Sequence, residues 1–158
     1  MTQDSLEQRI RVLEDIEAIR KLKARYADAC DRDYDYDTLA SLFAEDAIWD
    51  GGTFGRYEGR EAIRQFFIGA SGAIPFAMHY MINPIIEVNG DEATGRWHLF
   101  QACTFSAGGD QAIWGSARYE EQYRRVGGEW LFWRLDLISE FWTPFDQGWV
   151  KRPFVQEG

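Results

Sequence analysis

Basic residues, cysteines and long apolar runs are all scarce in this chain of 158 residues, and each shortage removes a class of function. Seventeen Lys and Arg stand against 26 Asp and Glu, a formal charge of −9, and the one basic stretch, Arg20 to Arg25, lies beside acids. Such a chain is a poor partner for nucleic acid or an anionic membrane. No stretch approaches the ~20 apolar residues that span a bilayer, and no apolar run follows a basic start, so the cytoplasm is the expected compartment. Two cysteines, Cys30 and Cys103, in a chain long enough to bury a core argue against a disulfide framework. Asp31 beside Cys30 raises a thiol pKa, which leaves both cysteines as packing residues. Only two histidines occur, His79 and His98, far apart and without a carboxylate at ligand spacing, so no metal site is expected. Phosphate-cradling glycine loops and recognisable Ser or Cys nucleophile settings are missing too. Acid–base chemistry is the enzymology that remains.

What the chain has in quantity is ring surface. Aromatics make up 16% of it, with eleven Phe and seven Trp, more than a core of this size needs, and part of that surface is free to line a cavity. The length fits one domain over residues 1–158, a barrel over 1–142 and a C-terminal tail over 143–158 placed near a pocket mouth or a subunit interface.

Leu6, Ile10, Leu13, Ile16, Ile19, Leu22 and Tyr26 recur every three or four residues and predict an amphipathic helix from Ser5 to about Asp31, with a joint near Asp15. The acidic, aromatic stretch Asp31 to Asp37 breaks the period. A short second helix follows on Leu39, Leu42 and Phe43, capped by Asp37. Ala47 to Asp50 and Phe54 to Tyr57 flank Gly51-Gly52 as a small hairpin. A third helix runs from about Arg60 to Gly69 with Ile63, Phe66 and Phe67 on its buried side.

Beyond Pro75 the pattern becomes extended, punctuated by Asn89-Gly90-Asp91, Gly108-Gly109-Asp110 and Gly127-Gly128. Four long strands in meander order result, roughly Phe76–Val88, Glu92–Ala107, Gln111–Arg125 and Glu129–Trp142. Strands this long curl and carry bulges. Helices first and a long sheet afterwards make an α+β arrangement, a curved, mostly antiparallel sheet wrapped around the N-terminal helices, whose concavity is the natural pocket.

Alternation along a strand assigns faces. In the last strand Leu131, Trp133, Leu135 and Leu137 form an apolar row that is read as inward. In the second long strand Trp97, Leu99, Gln101 and Cys103 share one face and His98 lies on the other. The face of His79 stays open, because Phe76, Met78 and Tyr80 are as apolar as Ala77 and Met81. Pattern alone reads a strand histidine as a hydrogen-bonded structural residue, Asp31 as a solvated loop acid and Tyr26 as a core aromatic. Tyr26 and Asp31 differ by about 140° on a helix, so they meet only where the helix frays or rims the pocket.

Asp15-Ile-Glu-Ala-Ile-Arg-Lys-Leu-Lys-Ala-Arg-Tyr26, the acid at Asp31, Met78-His79 and Ala93-Thr-Gly-Arg-Trp97 together resemble the SnoaL-like superfamily, most closely its bile acid 7α-dehydratase-like branch. The resemblance runs from the N-terminus to about Trp142. A weaker likeness to hexachlorocyclohexane dehydrochlorinases and scytalone dehydratases shares the Asp and the His, and Phe141-Trp-Thr-Pro144 looks like the dehydrochlorinase tail.

The resemblance implies a cone-shaped α+β barrel, frequent homotrimers, and an Asp–His dyad inside the cone, here Asp31 and His79 with Tyr26 as the family's tyrosine. Gln101 occupies the place of a second pocket acid, and an amide cannot act as acid or base. The register of the dehydratases' later arginine holds Ser139, and that of the dehydrochlorinase arginine holds Leu135. The activity implied by the resemblance is that of a cofactor-independent lyase of the dehydratase type, or a related isomerase, acting on a small hydrophobic ring compound and assembling as a dimer or trimer. Gln101, Trp97, Leu99, Trp133, Leu135 and Trp49 are the expected substrate-binding side chains. A ligand-binding or structural protein of the same fold is the alternative.

Overall fold

The computed structural model describes residues 5–155, so the outermost residues of the expected barrel and tail, 1–4 and 156–158, lie outside the described residues. Helix α1 (Leu6–Asp31) opens on a reciprocal cap. The Ser5 hydroxyl accepts from the Gln8 amide at 3.2 Å, and the Gln8 side chain accepts from the Ser5 amide at 2.9 Å. The helix then runs unbroken for 26 residues without the expected joint at Asp15. Its first turns, with Leu6, Ile10 and Leu13, are exposed, and burial begins at Ile19.

Helix α2 (Tyr36–Ser41) is capped by Asp35 instead of Asp37: the Asp35 carboxylate accepts from the Thr38 amide and hydroxyl, at 3.2 and 2.7 Å. Asp37 is turned outward to Arg64 at 2.7 Å. Phe43 does not belong to this helix; it starts strand β1 (Phe43–Asp50). A 3-10 turn at Gly52–Phe54 leads into β2 (Arg56–Glu58), which pairs antiparallel with β1 as the glycine-flanked hairpin predicts. Helix α3 (Arg60–Ala73) runs one turn beyond the expected end and buries Ile63, Phe67 and Ala70.

Strands β3 (Phe76–Asn89), β4 (Glu92–Phe105), β5 (Gln111–Val126) and β6 (Glu129–Pro144) follow as a meander. Gly127 and Gly128 both take positive φ in the last turn, a conformation costly for residues with a Cβ. The six strands form one sheet in the order β2-β1-β6-β5-β4-β3, antiparallel throughout except where β1 runs beside β6. The sheet is mixed, strongly curved and not closed, with β2 and β3 as its edges. Helix α1 lies in its hollow against β3 and β6, the α+β arrangement that the pattern of helices and strands implies and the cone that the resemblance implies.

Register irregularities aim the side chains. On β4 the inward row is Trp97, Leu99, Gln101 and Cys103, with His98 on the opposite row. On β6 the pairing with β5 shifts between Phe132 and Arg134, and that single bulge swaps the faces. Trp130 and Phe132 point inward before it, and Leu135 and Leu137 after it. The expected inward row is therefore wrong at Leu131 and Trp133. Trp133 stands on the outer surface, where the Arg124 guanidinium stacks 3.4 Å from its ring centre.

Past β6 the chain forms the short helix α4 (Gly148–Lys151) and returns. The Trp142 amide donates to Pro153 and the Val155 amide to Trp142, both at 2.8 Å, so Phe154 pairs with Trp142 along the edge of β6. The convex side of β3 carries an exposed apolar row: Phe76, Met78, Tyr80, Ile82 and Ile85. Among the described residues no helix is long and apolar enough to cross a membrane.

Candidate active site

Strand β3 turns Ala77, His79 and Met81 inward and its apolar partners outward, which decides the face that alternation leaves open. His79 then meets the last residue of α1. One oxygen of the Asp31 carboxylate accepts both from the His79 backbone amide at 2.9 Å and from ring Nδ1 at 2.7 Å. The imidazole is 6% exposed and the carboxylate 29%. A carboxylate accepting at Nδ1 assigns the proton to that nitrogen, which leaves Nε2 with a free lone pair. The 140° separation on the helix is resolved by position: Tyr26 and Cys30 face the hollow together, while Asp31 reaches His79 from the helix end.

Tyr26 and Trp49, with Tyr34, Leu99, Gln101 and Tyr119, line the cavity into which His79 projects. The Trp49 indole donates to the Tyr26 hydroxyl at 3.1 Å, leaving the phenol O–H to donate elsewhere. Burial pushes the phenols of Tyr26, Tyr34 and Tyr119 well above the ordinary range, so each is a neutral donor at physiological pH. Burial also pushes the Cys103 thiol up to about 12 and the Cys30 thiol higher, which fits two inert packing residues. The cavity is small, about 50 Å³. That is room for a few waters, against ~300 Å³ or more in a typical ligand pocket.

Beneath the phenols lies a charge pair that the sequence pattern conceals. Lys23 and Glu121 are both fully buried and joined by a hydrogen-bonded salt bridge. Tyr123 donates to the same Glu121 carboxylate, and Trp97 donates to Tyr123 at 3.0 Å. The Lys23 ammonium stands 3.3 Å from the centre of the Tyr119 ring and 4.8 Å from that of Tyr26. Burial lowers the lysine pKa and raises that of the glutamate, and their mutual attraction opposes both shifts.

Of the residues singled out from the sequence, Tyr26, His79, Gln101, Leu99 and Trp49 border the cavity, with Asp31 behind His79. Trp97 and Leu135 face inward but pack below it, Trp97 as the partner of Tyr123. Trp133 is excluded by the bulge. Tyr34 and Tyr119 escape the sequence reading. Tyr34 enters the cone because Asp33 and Tyr34 adopt φ of 55° and 50°, a left-handed turn uncommon outside glycine, and it stacks on Phe67 and meets His79 edge-on. Tyr119 lies on the inward row of β5 with Ala117 and Tyr123, which alternation could have found. Among the described residues no three His, Cys, Asp or Glu side chains gather as a metal site.

The fold has counterparts in known structures. The hexachlorocyclohexane dehydrochlorinase LinA-type3 of Novosphingobium barchaimii LL02 superposes with a TM-score of 0.77 at 26% identity, over 84% of this chain and 91% of that one. A scytalone dehydratase-like protein of Novosphingobium aromaticivorans superposes with a TM-score of 0.73 at 22% identity, over 92% and 96%, a likeness of fold alone. In sequence, the uncharacterised protein Rv2910c of Mycobacterium tuberculosis is 27% identical over 113 residues, 71% of this chain and 76% of that protein. Residues 11–136, from the exposed part of α1 to the outward Asp136 of β6, match the SnoaL-like domain, and with its helix-filled cone the chain belongs to the SnoaL-like family.

Proposed function

We propose that this chain is a cofactor-independent lyase of the dehydratase type, or a closely related isomerase, working in the cytoplasm on a hydrophobic ring compound. The observation that carries the reading is the buried imidazole whose Nδ1 is held by Asp31 at 2.7 Å while Nε2 is free. Asp31 fixes the tautomer and His79 removes a proton from the carbon next to a carbonyl. Tyr26, a neutral phenol whose oxygen accepts from Trp49, donates its O–H to the carbonyl oxygen as enolate charge develops, or to the departing hydroxyl. The proton taken by Nε2 is then delivered to the leaving hydroxyl, water departs, and the neutral imidazole is regenerated. Returning it to another carbon is the isomerase variant.

Gln101, 2% exposed, orients the substrate through hydrogen bonds without exchanging a proton. Dehydrohalogenation, the activity in the dehydrochlorinases' name, is a weaker fit. The register of their arginine holds Leu135, fully buried and without charge. Assembly as a homodimer or homotrimer belongs to this reading, supported by the apolar row on the outer face of β3.

The test is turnover of β-hydroxy ketones and 3-oxo steroids by purified protein. His79→Ala and Asp31→Asn are expected to lower kcat by ~10² to 10⁴. Equal turnover in both variants and the parent would dismiss the base. A second reading, ligand binding without catalysis, is favoured by the amide at Gln101 and by the nearly filled cone. It predicts saturable binding of the same compounds with no product.

A further inference from the structure

The small inner cavity is separated by one layer of side chains from a much larger one. A groove of about 740 Å³ runs between the 3-10 turn and the returning C-terminal segment. It exists because β6 changes neighbours. Strand β1 accompanies β6 as far as Asp136, and Phe154 takes over only at Trp142, so Leu137 to Phe141 have no strand partner on that side. The wall of the cone is interrupted there.

Phe54, Leu137 and Trp142 border both spaces. Phe54 meets Trp142 edge-on at 5.3 Å, and Trp142 stacks on Phe105 at 6.0 Å, anchored by its indole N–H on the Ser139 hydroxyl at 2.9 Å. Gly115 makes room for that indole, since a Cβ there would lie 2.3 Å from the ring. Phe54 rides on a short turn between Gly52 and Gly55, at φ of 62° and 104°, where the backbone can pivot. The outer end of the groove presents the carboxylates of Asp50, Glu120 and Asp136. Each is held by an arginine, Arg56, Arg118 and Arg134 at 3.3, 2.9 and 2.8 Å.

We propose that the body of the substrate binds in this groove along the free edge of β6, and that its reacting end passes between Phe54 and Trp142 to reach His79. The proposal rests on the catalytic reading above and deepens it by naming the substrate class. The inner cavity is too small to enclose a whole ligand, whereas the groove has the volume of an ordinary small-molecule site. The ligand is long, of several fused rings or a ring with an apolar arm. Its far end is neutral and carries hydroxyl or carbonyl groups, because among the described residues no lysine or arginine lines the groove to receive an anionic tail, and the arginines beside it are already paired with Asp50, Glu120 and Asp136.

Three probes test this by calorimetry on the full chain: progesterone, a 3-oxo steroid with a side-chain carboxylate, and the one-ring 3-hydroxycyclohexanone. Progesterone is expected to bind at least tenfold more tightly than either of the others. Val155→Trp, which fills the groove away from the dyad, is expected to shift the progesterone to one-ring affinity ratio at least tenfold toward the small probe. Phe54→Ala, which thins the partition, is expected to raise kcat/KM for a multi-ring substrate relative to the one-ring substrate. Absence of saturable progesterone binding overturns the proposal. So does a Val155→Trp protein, folded by circular dichroism, with an unchanged ratio. His79→Ala separates the two readings: binding retained with turnover lost upholds both, and binding retained with turnover unchanged removes the base but leaves the groove.

Discussion

Replacing Glu121 by leucine strands the Lys23 ammonium in a site from which water is excluded. Both side chains are fully buried, and the nearest groups left to the cation are the rings of Tyr119, Tyr26 and Phe132. Breaking one side of a buried pair costs ~3–5 kcal/mol, because the remaining charge is neither hydrated nor paired. At ~2–4 °C per kcal/mol for a chain of this size, the midpoint of thermal unfolding falls by roughly 6–20 °C. Lys23→Met does the same from the other side, with Glu121 keeping only the Tyr123 hydroxyl. The double variant Lys23→Met/Glu121→Leu removes both charges and is expected to recover most of the loss. A deficit of ~1–3 kcal/mol remains, because the Tyr123 hydroxyl, which still accepts from Trp97, loses its own acceptor. Equilibrium urea unfolding at pH 7 of the parent, both singles and the double measures the coupling directly. Singles that each cost under ~1 kcal/mol, or a double that costs their sum, would refute the reasoning.

Two more outcomes are expected, one at the far end of α1 and one at the surface. The Asp15 carboxylate receives both Arg125 terminal nitrogens at 2.8 Å and the Trp130 indole at 3.0 Å, and the Arg125 hydrogen bond, outweighing partial burial, holds its pKa below the usual range. A depressed folded-state value stabilises above the unfolded pKa of ~3.9 and stops doing so as pH falls through the folded one. Asp15→Asn is therefore expected to cost ~1–2 kcal/mol by urea unfolding at pH 7, the partly exposed pair being screened, and to converge on the parent as pH falls through the depressed folded-state value. A gap that persists unchanged in acid contradicts this. Tyr80→Glu combined with Ile85→Glu, both on the outer face of β3, is expected to reduce the light-scattering mass from oligomer to monomer. An unchanged mass, or a monomeric parent, removes that face as the interface.

The glycine turns and the period-two segments make the meander readable from the sequence, since a turn needing positive φ and a strand with alternating burial are local properties. Faces are readable only where no residue is inserted. Alternation places Leu99 and Gln101 correctly on β4 and fails on β6, where one bulge turns the half-buried Trp133 outward and leaves Phe132 buried. Lys23 is invisible for another reason: a lysine in a helix is read as solvated, and its burial depends on Glu121, 98 residues away. Tyr34 follows a left-handed turn that its own identity disfavours, so propensity points away from its place in the cone. The Asp31 and His79 pairing comes through resemblance, since each residue alone reads as an ordinary acid and an ordinary strand histidine.

Helix α1 is a single rod tied to the sheet at Asp15 and at Asp31, with the Lys23–Glu121 pair between them. Asp15 is clamped by the β5–β6 hairpin tip, and Asp31 is fastened to β3, about 24 Å along the axis at 1.5 Å per residue. Because no kink or proline lies between them to absorb slack, the rod's axial position is overdetermined, and the carboxylate beside the imidazole is aligned from both ends of the cone. A disturbance at the Asp15 end is felt as a sliding of the Asp31 carboxylate, which makes a latch remote from the cavity part of its alignment.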